Sequence, residues 1–199
     1  MDWEFRTPDA TPGQAEGRHE AVELVGTNLR MTGTMSLGRF GRLSDLVNHA
    51  QGYVRIQDAR LLRRNGEPTS LVLPELMVDQ DEISFIAQTV VPPLGAGTGG
   101  DIRERSTIER APRHLVMFTP GHVVTGKVMM IVDSQLANFV EATEPRFVPT
   151  TEVTSRSLSD RRIIGHYEFA LVNRTQMIAV AEESGADVGS RVGAVMPSS

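Results

Sequence analysis

Residues 76–87 read LMVDQDEISFIA, and residues 170–181 read ALVNRTQMIAVA. In both, an apolar run meets a polar triplet and an apolar run resumes. Met77, Val78, Asp79, Ile83, Ile86 and Ala87 align without a gap on Leu171, Val172, Asn173, Met177, Val180 and Ala181, a shift of 94 (171 − 77). A match of this kind near the end of each half points to one small unit written twice. Asp and Asn tolerate left-handed backbone and bond their own main chain, so DQD and NRT predict tight hairpin turns between two short strands.

Moving toward the N-terminus, LRMTGTMSL (29–37) aligns on HVVTGKVMM (122–130), with Gly33 on Gly126. A glycine inside a strand pattern marks a bulge or sharp bend, so a strongly curved sheet is expected. RLSDLVN (42–48) aligns on QLANFVE (135–141), with Leu43 on Leu136 and Val47 on Val140, a spacing that predicts one or two helical turns with Ser44 or Ser134 as caps. YVRIQDARLL (53–62) then aligns on FVPTTEVTSR (147–156) as a third strand. The expected fold is mainly β: two tandem five-stranded bent-sheet or barrel domains, each with a short helix.

The expected boundaries follow from composition. Residues 1–20 read as a disordered tail, 21–91 as the first domain and 92–113 as a Pro/Gly linker with room for a short helix. Residues 114–183 read as the repeat of the first domain, and 184–199 as a second disordered tail. The 199 residues are 40% hydrophobic and 23% charged, ordinary for a globular chain, and the net charge of −5 argues against general phosphate binding. There is no cysteine, which removes disulfides and thiolate metal sites. No apolar run reaches membrane-spanning length and the polar start is unlike a signal peptide, so the expectation is a cytoplasmic, bacterial protein.

Each half resembles the Sm-like fold, the small barrel of LSm and Hfq proteins, with the SH3-like barrel as the broader class. TGTMSL, Asp45 with Asn48, and VDQDEISFIA carry the resemblance in the first half; TGKVMM, Asp133 and VNRTQMIAVA carry it in the second. The likeness spans about 22–91 and 114–183. It departs from the family in setting the helical turn after the second strand, where the family has an N-terminal helix. The resemblance implies RNA contact through loop residues, which carries over to Asp45, Asn48, Asn173 and Arg174, although the hairpin of the first half is acidic and no aromatic stands near the second for base stacking.

The residues themselves offer one polyanion candidate. Arg39, Arg42, Arg55, Arg60, Arg63 and Arg64 face only Asp45 and Asp58 between positions 39 and 64. Against it, Arg55 and Arg60 have opposite parity and would point to opposite sides of a regular strand. Trp3 and Phe5, alone in a polar stretch, form a candidate docking arm. The five histidines show no metal-ligand spacing, GAGTGG (95–100) lacks the Lys-Ser/Thr of a phosphate loop, and no nucleophile has a base placed for it, so no metal, cofactor or enzyme activity is expected. What remains is a non-enzymatic binding or scaffolding protein acting through edge strands and loops, with a protein partner or self-association first. An RNA-binding regulator using the arginine face is the alternative, and a small-ligand sensor with an interdomain pocket the third reading.

Overall fold

The computed structural model describes residues 18–63, 65–90 and 108–183. Residues 1–17 of the first expected tail, the whole of the second, most of the expected linker, Trp3, Phe5 and Arg64 lie outside the described residues, while β1 begins at His19, inside the stretch read as the first tail. The first half runs β1 (His19–Gly26), β2 (Arg30–Ser36), α1 (Leu43–His49), β3 (Tyr53–Leu62), β4 (Pro68–Asp79) and β5 (Ile83–Gln88). The second runs β6 (Arg110–Thr119), β7 (His122–Ile131), α2 (Leu136–Glu141), β8 (Phe147–Ser157), β9 (Ile163–Asn173) and β10 (Ala179–Glu182). β6 begins inside the stretch read as linker and contains Pro112. That proline fits because β10 pairs only with Leu115–Phe118, leaving the outer side of Pro112 without a ladder that would need its missing N–H.

All ten strands join one antiparallel sheet in the order β10-β6-β7-β8-β9-β5-β1-β2-β3-β4. Each half contributes a run with the same internal order: fifth, first, second, third, fourth. A single short ladder unites the runs, with Phe85 opposite Val172, Ile86 opposite Leu171 and Ala87 opposite Ala170. The sheet is therefore continuous and open, with β4 and β10 as its two ends.

The triplets DQD and NRT do not close hairpins, because β4 pairs with β3 while β5 pairs with β1 and β9. They lead into three-residue 3₁₀ turns, Gln80–Glu82 and Arg174–Gln176, in which the Asp79 and Asn173 side chains accept from Asp81 N and Thr175 N. These turns force curvature. Flat, five strands would set β4 and β5 about 19 Å apart, four spacings of roughly 4.8 Å. The step from Asp79 to Ile83 reaches at most about 14 Å. Each run must therefore curl until its fourth and fifth strands approach.

The expected bulge supplies that bend. Opposite Gly33, β3 inserts an extra residue between its pairs Thr34–Gln57 and Thr32–Arg60. Opposite Gly126, β8 does the same between Thr125–Thr154 and Lys127–Thr151. The inserted positions are Asp58 (φ 50°) and Glu152 (φ 52°), equivalent residues in left-handed backbone. A Cβ on Gly33 would lie 2.5 Å from Ile56 Cγ2 and 2.7 Å from Gln57 O, and one on Gly126 would lie 2.6 Å from Thr150 Cγ2 and 2.9 Å from Thr151 O. Only glycine lets the strands close there.

The expected helix caps are corrected. The residues before the first turns are Arg42 and Gln135, neither of which makes a side-chain cap bond, and Ser134 bonds Ile131 O instead. The helices are held by packing: Leu43 and Val47 of α1 and Phe139 of α2 are buried. Two apolar clusters form, and both cross the boundary between halves. Phe147 and Leu171 join the cluster of the first half, while Val25, Phe85 and Ala87 join that of the second.

Candidate interaction surface at the seam and the open edges

The seam between the halves is dense in polar contacts. Asn48 on α1 donates to Phe147 O (3.0 Å) and accepts from Phe147 N (2.7 Å), reading the β8 main chain as a strand partner would. Asn173, fully buried, donates to Gln80 O and Ile83 O, both at 2.8 Å, while its oxygen accepts from Thr175 N. Gln80 donates to Val47 O and accepts from Arg146, whose guanidinium also pairs with Asp81. An amide is suited to these places because it can donate and accept at once.

Two of the four positions carried over from the Sm-like resemblance are thus occupied by the chain itself. Arg174 is occupied too: it donates to Pro145 O and Phe139 O and lies 4.5 Å from the Phe139 ring centroid, with burial lowering its pKa. Asp45 remains at the exposed surface of α1.

Away from the seam the same positions are bare. Phe147 and Leu171 are 0% exposed, whereas their equivalents at the β4 end, Tyr53 and Met77, are 53% and 52% exposed. Val47 is 0% exposed and Ser84 1%, whereas their equivalents at the β10 end, Val140 and Ile178, are 54% and 69%. The β4 end also exposes Leu71 and Val72. Among the described residues, each end of the sheet thus combines a strand open along its outer edge with apolar side chains, the usual mark of an association surface.

The arginines are divided. Arg39 and Arg42 stand before α1, Arg39 bonding His49, while Arg63 stands just past the C-terminal end of β3, on the other side of a ten-residue strand. Arg55 pairs with Glu75, and Arg63 lies 3.9 Å from Glu67. The parity argument for Arg55 and Arg60 is corrected: both are exposed on one face, because the extra residue at Asp58 reverses the alternation between them.

At one end of the seam a cavity of about 340 Å³ is lined by the β1–β2, β6–β7 and β8–β9 turns. At its wall Arg30 bridges Glu23 (2.5 Å) and Ile164 O (3.1 Å), and His122 packs edge-on to Phe85. Burial, followed by the Arg30 charge, lowers the His122 pKa, so the ring is neutral at pH 7. Burial likewise raises the Tyr167 pKa. Among the described residues no three His, Asp or Glu side chains gather to hold a metal, and no helix is long and apolar enough to cross a membrane.

No protein-family description, curated protein or solved structure matches this chain.

Proposed function

We propose that the protein is a non-enzymatic binding or scaffolding module that works by strand addition at the two open ends of its sheet. In this reading each half is a small barrel-like unit of the Sm-like or SH3-like kind, and the surfaces that recognise a partner are β4 with Tyr53 and Met77 at one end, and β10 with Val140 and Ile178 at the other. One observation carries it: apolar positions covered at the seam are bare at the ends, beside strands that have backbone bonds to give. The seam itself is an example of what such an edge accepts.

Photo-crosslinking from within the living host tests the reading. A benzophenone side chain at position 77 or 178 is expected to capture a protein partner. The same group at Met129, 55% exposed in the middle of the sheet, is expected to capture none. Equal yields at all three positions would refute the assignment to the edges.

A further inference from the structure

Resting on that reading, we infer that the partner at both ends is a second copy of this chain, with β4 of one molecule added to β10 of the next in the register of the seam. The seam pairs the fifth strand of one half with the fourth strand of the other, and among the described residues the fourth and fifth strands that keep one open edge are β4 and β10. Transferring the register sets Ala179 opposite Val78 of the next chain, Val180 opposite Met77 and Ala181 opposite Leu76. The exposed side chains divide to match. The β10 end carries Val140 and Ile178, and the β4 end carries Tyr53 and Met77, the two complementary parts of a cluster that the seam buries as Val47, Phe147 and Leu171.

The two ends differ from the seam in their polar groups: Arg146, which holds Gln80 and Asp81 across the seam, is replaced at its equivalent position by Gly52. Asn173 is replaced at its equivalent position by Asp79, and Asn48 by Glu141. A carboxylate cannot donate to the carbonyls that these asparagines hold, so the contact between chains lacks three of the amide N–H bonds found at the seam. Apolar complementarity favours joining while the acids restrain it. The result is reversible, concentration-dependent, head-to-tail association, since the two joined surfaces are different and each chain has one of each. The acids also act as gatekeepers against uncontrolled edge pairing.

Sedimentation velocity on the full chain over a wide concentration range tests this. The wild type is expected to form reversible oligomers. Met77→Lys and Val180→Lys are each expected to be monomeric alone, yet to form a one-to-one dimer when mixed, because each retains the surface the other has lost. Asp79→Asn with Glu141→Asn is expected to tighten association by about tenfold or more. That pair is the check should a lysine variant misfold, and Asn173 already shows that an amide can cap the 3₁₀ turn. A wild type and a double-asparagine variant that both stay monomeric would overturn self-association, as would lysine variants that assemble like the wild type. Crosslinks from positions 77 and 178 to a different protein, with the chain monomeric, would remove the second copy while leaving the edges as the binding surface. Absence of edge crosslinks would remove both.

Discussion

Asn173 and Asp79 are equivalent in chain position and both cap a 3₁₀ turn, but only Asn173 also holds the seam. Replacing Asn173 with Ala removes two amide bonds to main-chain carbonyls, worth about 1 kcal/mol each. It also removes the cap to Thr175 N, worth about 1 kcal/mol. The expected loss is about 3 kcal/mol. Asp79→Ala removes only the 2.9 Å cap to Asp81 N, for about 1 kcal/mol. With a urea slope of about 2 kcal/mol per molar, the midpoint of unfolding followed by circular dichroism should fall by about 1.5 M for the first variant and about 0.5 M for the second. Equal shifts for the two would show that Asn173 does nothing that Asp79 does not, and the account of the seam would fail.

Gly126→Ala should cost about 2 kcal/mol or more in the same assay, because the added carbon meets Thr151 O at 2.9 Å, whereas Gly41→Ala, with nothing within 4 Å, should be nearly neutral. His122 has a folded pKa below its unfolded value, so the unfolded chain binds more protons in the window below pH 6.5. Stability should therefore fall as pH drops from 7 through that window, by at most about 1.4 kcal/mol per pH unit, and pH-dependent melting of His122→Gln should lose this component. Arg55→Ala should cost well under 1 kcal/mol, since its ion pair is exposed. Arg146→Ala should cost more, about 1–2 kcal/mol by thermal unfolding, because its guanidinium also holds buried Gln80.

The strands, the bulge glycines and both helices are legible in the sequence because each rests on local periodicity or on one residue with a steric demand. Gly33 and Gly126 are the clearest case: the repeat aligns them, and in the fold they stand opposite equivalent inserted residues, Asp58 and Glu152. The seam is not legible, since three residue pairs between Phe85–Ala87 and Ala170–Val172 leave no pattern distinguishable from general burial. Asn48 and Asn173 each follow a valine where an apolar stretch gives way to polar residues, and nothing local says that their partners lie across the chain. Arg55 and Arg60 mislead for a related reason. Alternation holds only while the ladder is regular; Asp58 is of a type that tolerates positive φ, but Glu152, at the equivalent place, is not, so residue type does not mark the position.

The two kinds of junction also differ in how hard they must hold. Residues 89–109 connect the halves covalently, so each half meets the other at an effective concentration on the order of millimolar. A contact too feeble to gather free molecules at cellular dilution would still keep the seam shut. Severing the chain within 89–109 would withdraw that advantage and measure the seam's intrinsic affinity, a number that copies meeting at β4 and β10 must approach unaided.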